Sequence, residues 1–251
     1  MLRVKSKDTK MWKTCIGMMV NLVEEAALKF SEEGVRTRAM DPSRVALVDL
    51  EIGSGAFSEY QVKGPTVLGI NLLEMDRILS RGKPADELTI ELDQSGSGLN
   101  LTFRGASTRR LSLPLIDVSE AELPEPKIPF TATVEVLAGA LQDGLKDAEL
   151  FGENVRFEAK GEEFIMSSAG EKGKTEMKLE KGDQALIKIA AKQPTRATYG
   201  IAYLSNMLKS AESGNPVTLS FGTDLPLQLD FPIAEGKGRL RFLLAPRIES
   251  E

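Results

Sequence analysis

The sequence predicts an α+β protein made of two similar domains. Three observations carry that reading. Short alternating or apolar runs, the mark of strands, outnumber segments with helical spacing, and about two helices fall in each half. Similar segments recur in the same order at nearly one offset: "LGINLLEMDRILS" (68–80) with "YGIAYLSNMLKS" (199–210), "LNLTF" (99–103) with "LQLDF" (227–231), and "RLSL" (110–113) with "RLRF" (239–242). Between the halves lies "PLIDVSEAELPEPKIPF" (114–130), whose four prolines make it a poor helix or central strand and a good extended connector.

Each element follows in order. Trp12, Ile16, Met19, Val20 and Val23 share one helical face, so a first helix covers them. "AALKF" (26–30) and "RVALVDLEI" (44–52) read as strands, with turns at Gly34 and Gly53–Gly55. A second helix over about 72–80 and a strand meander complete the first half. After the connector, Leu137, Leu141 and Leu145 mark a third helix, "NVRFEA" (154–159) a strand and Gly161 a turn. A fourth helix over about 202–211 and a closing meander repeat the plan. The best-matched equivalences are Gly69/Gly200, Ile70/Ile201, Leu72/Tyr203 and Leu73/Leu204, an offset of 131. The boundaries fall at 1–115, 116–129 and 130–251.

Composition narrows the chemistry. Hydrophobic residues make up 41% and charged residues 27% of 251, as in ordinary globular proteins. No apolar run reaches the roughly 18–20 residues of a membrane span, and "MLRVKSKDTKMWKTC" has no signal-peptide core, so a cytoplasmic location is expected. The one cysteine, Cys15, excludes an internal disulfide framework. With no histidine there is no Ser-His-Asp triad, Cys-His pair or His-ligated zinc. A net charge of −5 argues against a generally basic nucleic-acid binder, while leaving the distribution of charge open. "SSAGEKGKT" (167–175) ends like a phosphate loop but has serine at 168 where that loop needs glycine, and it runs into a strand pattern. "SGSGLN" (95–100) likewise reads as a turn. A carboxylate-dependent nuclease or hydrolase would need clustered acids, and Asp41, Asp49 and Glu51 are scattered along one strand.

"GVRTRAMDPSRVALVDLEI" (34–52) strongly resembles the proliferating cell nuclear antigen family, the DNA sliding clamps of archaea and eukaryotes. The likeness continues through "GINLLEMDRIL" (69–79), "LPLIDV" (113–118), "FIMSSAGE" (164–171), "YLSNMLK" (203–209), "PVTLSFGTDLPLQLDF" (216–231) and "FLLAPRIE" (242–249), and its details look archaeal. The resemblance implies a DNA clamp fold, with helices lining the hole of a ring-shaped trimer and sheets outside. It implies no enzymatic activity and no cofactor. The implied role is a processivity factor for DNA polymerase and a docking platform for replication and repair proteins. One subunit of a heterotrimer is the alternative.

Residue by residue, the resemblance puts Lys13, Arg77, Lys146 and Lys209 toward DNA, and helix position adds Lys10 and Arg81. Val20, Ser80, Asp143 and Leu150 depart from the basic pattern of eukaryotic members. A groove for a partner's Gln-aliphatic-aromatic motif, as carried by polymerase, clamp loader, flap endonuclease and ligase, falls to Met40, Val45, Leu47, Leu123, Pro124, Pro226, Leu243, Ala245 and Pro246. Acidic Glu120, Glu122 and Glu125 beside it would steer basic partner tails. Ring closure would set "STRRLSLP" (107–114) against "GKTEMKLEK" (173–181) of the next subunit. Arg81, Lys83, Arg109 and Arg110 would then face Asp143 and Asp147, with Met177 inside the edge strand.

Overall fold

Chain order runs the same way twice. In the computed structural model, which describes residues 1–118, 123–124 and 126–248, the first pass is β1 (Leu2–Ser6), α1 (Lys10–Met19), β2 (Glu25–Ser31), β3 (Gly34–Met40), β4 (Ala46–Gly53), β5 (Glu59–Val62), β6 (Thr66–Asn71), α2 (Leu72–Ser80), β7 (Glu87–Leu92), β8 (Gly98–Arg104) and β9 (Thr108–Pro114). The second pass is β10 (Ala132–Leu137), α3 (Ala138–Glu149), β11 (Asn154–Lys160), β12 (Glu163–Gly170), β13 (Gly173–Glu180), β14 (Leu186–Ala191), β15 (Thr195–Gly200), α4 (Ile201–Leu208), β16 (Pro216–Phe221), β17 (Leu227–Ile233) and β18 (Gly238–Leu244). Strand order repeats too. The run β5-β1-β7-β8-β9 is matched by β14-β10-β16-β17-β18, and β4-β3-β2-β6 by β13-β12-β11-β15. The α+β duplication expected from the sequence is what the chain forms.

Two compact units result, Met1–Pro42 with Val48–Leu123 and Pro232–Leu240, and Ser43–Leu47 with Pro124–Phe231 and Arg241–Glu251. The division runs through β4 and β18, so each strand has part of its length in either unit. In the first unit Gly53 N–H donates to the Lys237 carbonyl, and in the second Ala245 N–H donates to that of Val45, both at 2.9 Å.

The helices bury their apolar faces. On α1, Trp12, Cys15, Ile16, Met18 and Met19 are buried, and on α2, Leu72, Met75 and Leu79. Trp12 also meets Phe57, ring centres 6.1 Å apart. In the second unit α3 buries Leu141, Leu145 and Ala148, and α4 buries Ile201, Leu204, Met207 and Leu208. Phe157 there stands against Phe164, Tyr199 and Phe221 at 5.5–6.4 Å. Fully burying one such side chain contributes about 1.5–3 kcal/mol, so these faces fix where the helices lie.

Two expectations need correction. The first helix stops at Met19 instead of reaching Val23. Leu22 and Val23 N–H both turn back to the Met19 carbonyl, and the Asn21 amide takes the Gly17 carbonyl at 2.7 Å. Val23 is buried beyond the helix end. Likewise α4 ends at Leu208, where Ala211 N–H closes a tight turn onto the Leu208 carbonyl.

The second correction concerns the repeat register. Leu72 N–H donates to the Glu24 carbonyl at the start of α2, and Ile201 N–H to that of Glu153 at the start of α4. Asn71 pairs with Glu25, and Gly200 with Asn154. These bonds equate Leu72 with Ile201 and Asn71 with Gly200, so Gly69 and Gly200 are not equivalents. Gly69 is glycine for another reason. A Cβ there would lie 2.0 Å from the carbonyl oxygen of Ile116, whose N–H bonds back to the Gly69 carbonyl. Gly200 is a helix N-cap with only ordinary neighbours. The segment with the phosphate-loop ending is a hairpin: Gly170 pairs with Gly173 across a two-residue turn, and Lys174 and Thr175 lie in β13.

Candidate nucleic-acid interface

Six bases are the expected DNA contacts. On the first unit Lys10 is exposed at the start of α1, Arg77 exposed on α2, and Arg81 exposed at its C-cap. On the second, Lys146 is exposed on α3 and Lys209 exposed at the C-cap of α4. Lys146 and Lys209 line one groove of about 360 Å³ with Gln142, Glu149 and Ser205, so two helices bring these two bases together. Cations near helix C-termini are also favoured by the helix dipole.

Lys13 is engaged differently. Its half-buried ammonium crosses from α1 and donates to the Gly82 carbonyl just past the end of α2, at 3.1 Å. The second unit makes the same tie with a different side chain. Gln142 of α3 donates to the carbonyls of Leu208, the last residue of α4 (2.9 Å), and of Ala211 beyond it (3.0 Å). In the register set by the helix starts, Lys13 corresponds to Gln142 and Gly82 to Ala211. The position therefore carries a helix-end donor in both halves, and Gln142 supplies it without charge.

Two of the bases have acidic neighbours one turn earlier. Arg77 pairs with Glu74 on α2, and Lys146 with Asp143 on α3 at 2.9 Å. All four side chains are at least half exposed.

The residues expected to form the peptide groove are divided between the two units. In the second, the Ala245–Val45 main-chain bond brings Val45, Leu47, Leu243, Ala245 and Pro246 to neighbouring strand ends. Leu47 and Leu243 are nearly buried at 7% and 9%, whereas Val45, Pro226, Ala245 and Pro246 are half-buried and Pro124 exposed. In the first, Met40 is 37% exposed at the end of β3. Arg38, two residues before it, donates to the Leu123 carbonyl at 2.9 Å and to buried Asp49 at 2.6 Å, tying that part of the connector to β3. Glu120, Glu122, Glu125 and Glu249 lie outside the described residues.

The residues expected at the subunit interface differ in exposure and in their contacts within the chain. Arg109, expected at the subunit interface, binds within its own chain the carboxylate of Asp86 and the Arg81 carbonyl, and lies over the Phe103 ring. The Asp86 side chain is 6% exposed, and a buried carboxylate demands such a partner. Asp143 holds Lys146, as above. Arg81, Lys83, Arg110 and Asp147 are exposed, with Arg110 Nε on the Thr102 hydroxyl at 3.3 Å. Met177 packs inward: a Cβ on Gly144 of α3 would meet its sulfur at 3.1 Å. The residues that sequence reasoning missed are Arg38, Asp86 and Gln142. Alternating charge in "RTRAM" and "VDLE" is a signal for Arg38–Asp49; nothing in the sequence marks Asp86 or Gln142.

Among the described residues no group of three His, Cys, Asp or Glu side chains could hold a metal ion. Burial pushes the Cys15 thiol up to about 12, far from nucleophilic use. No helix among them is long and apolar enough to cross a membrane.

The structure is a duplicated α+β architecture whose helices carry exposed bases and whose sheets end, among the described residues, in open edge strands, an architecture shared with solved DNA clamps. The chain belongs to the proliferating cell nuclear antigen family: the model of the family's N-terminal domain matches residues 1–122 and that of its C-terminal domain residues 126–247. It is 45% identical over 229 residues, 91% of either chain, to the DNA polymerase sliding clamp of Thermococcus gammatolerans. Its fold matches the crystal structure of PCNA from Thermococcus kodakaraensis with a TM-score of 0.95 at 29% identity, covering 98% of this chain and 100% of that one. It also matches A. fulgidus PCNA bound to the C-terminal region of FEN-1, with a TM-score of 0.89 at 26% identity over all of both chains. Its function is that of a sliding clamp for DNA polymerase.

Proposed function

We propose that three copies of this chain close into a ring around duplex DNA, without catalytic activity of their own, in the cytoplasm beside the nucleoid. One observation carries the closure. β4 and β18 run alongside each other, joined by main-chain bonds at both ends. In the repeat, β9 corresponds to β18 and β13 to β4, yet β9 and β13 each end their sheet with an edge no other described strand takes. An unpaired edge is a template for another chain. Pairing β9 of one copy with β13 of the next repeats a junction the chain already makes.

The sequence repeats 1–115 and 130–251, joined by 116–129, supply the helices that meet DNA. Lys10, Arg77, Arg81, Lys146 and Lys209 give a screened, sequence-independent attraction suited to sliding. Lys13 adds charge while serving as a helix-end tie. In the second unit Val45, Leu47, Pro124, Pro226, Leu243, Ala245 and Pro246 supply the apolar wall of the partner groove, and in the first Met40 and Leu123 are its expected residues. The likeness to a clamp holding the C-terminal region of FEN-1 supports a docking role here, for polymerase and other replication and repair proteins.

Native mass at micromolar concentration tests assembly, with a trimer expected and a stable monomer refuting self-closure in favour of a mixed ring. Clamp loaded on a closed circular plasmid should survive salt that abolishes ordinary binding and be released by one cut in the plasmid. Equal retention on linear and circular DNA would overturn encirclement.

A further inference from the structure

The two acid-base pairs on the helix faces share a geometry that the duplication does not explain. Glu74 stands three residues before Arg77 on α2, and Asp143 three before Lys146 on α3. In the repeat register Glu74 and Arg77 correspond to Tyr203 and Asn206, and Asp143 and Lys146 to Thr14 and Gly17. Each half has therefore placed a carboxylate beside a helix base at a different point of the common plan. Exposed pairs of this kind do little for stability, with side chains here 50–76% exposed.

We propose that Glu74 and Asp143 set how tightly Arg77 and Lys146 hold phosphate. Resting on the reading that these helices face DNA, the mechanism is competition. Each carboxylate occupies a donor of its base when DNA is absent. When a backbone phosphate arrives, the base must give up or share that partner, and the carboxylate remains close enough to repel the phosphate. Both effects weaken the individual contact and lower the barrier to passing from one phosphate to the next. The bases still draw DNA in, because the guanidinium keeps further N–H donors free and the ammonium can rotate between partners. Glu74 and Asp143 are positioning residues that keep each contact brief.

The test uses the intact clamp and duplex DNA. Glu74→Gln keeps the side chain's size and removes its charge. It should raise affinity for linear duplex at low salt by roughly twofold to fivefold, and slow one-dimensional diffusion of the loaded ring by a similar factor. Both differences should vanish at high salt, which a purely structural role would not produce. Adding Asp143→Asn should enlarge the effect. Since Asp143 also stands among the expected interface residues, Glu74→Gln alone decides if the double variant opens the ring. Unchanged affinity and diffusion in Glu74→Gln would overturn the proposal. Arg77→Ala and Lys146→Ala separate the two levels. If they weaken DNA binding while Glu74→Gln does nothing, competition is wrong; if they too change nothing, the helices do not face DNA and both readings fall.

Discussion

Replacing Lys13 distinguishes a donor from a charge. Its ammonium bonds the Gly82 carbonyl at 3.1 Å in a half-buried setting, and Gln142 makes the equivalent bonds in the other unit with a neutral amide. A hydrogen bond from a charged donor contributes about 1.5–3 kcal/mol when shielded and less when water reaches it, so about 1 kcal/mol is expected here. Lys13→Ala should thus lower stability by about 1 kcal/mol, or roughly 2–4 °C in melting temperature for a chain of this size. Lys13→Gln should recover most of that loss, because the other half shows that an amide at this position reaches the same carbonyl. Denaturant unfolding of the three proteins at matched concentration measures it. Should Lys13→Gln be as unstable as Lys13→Ala, the charge matters and the donor does not. Should Lys13→Ala match wild type, the tie is worth nothing and Lys13 is free for DNA.

Three further outcomes follow from named contacts. Gly69→Ala should destabilise the fold by about 1–3 kcal/mol, since its Cβ would collide with the Ile116 carbonyl, while Gly200→Ala should be nearly silent by the same melting assay. Pro246→Asp should weaken a Gln-aliphatic-aromatic peptide by about 1–3 kcal/mol in calorimetry with melting unchanged, whereas Leu47→Ala should lower melting as well because Leu47 is nearly buried. Cys15, fully buried with its thiol pushed up to about 12, should resist alkylation at pH 8 in the native protein and react at once in denaturant. Because folding favours the neutral thiol, that contribution to stability is full below the ordinary thiol range and fades as pH rises through it towards 12.

The α+β class, the duplication and the helix faces follow from the sequence alone, because apolar periodicity is a local property of the chain. The spacing of Trp12, Ile16 and Met19, and of Leu141 and Leu145, dictates a buried stripe whatever surrounds it. Lys10 is legible from its helix position in the same way, whereas Arg77, Lys146 and Lys209 are singled out by the likeness to the family; all four are exposed in the structure. Register and pairing were decided only in three dimensions. Gly69 and Gly200 look alike in sequence, but one is required by a carbonyl 47 residues away in chain order and the other caps a helix. Arg109 reads as a free surface charge until the buried Asp86 claims it. That Lys13 also ties α1 to the chain beyond α2 emerges only once the two helices come within reach. In each case the partner is distant along the chain, and a long-range contact depends on where two elements stop and how they pack, which no local pattern encodes.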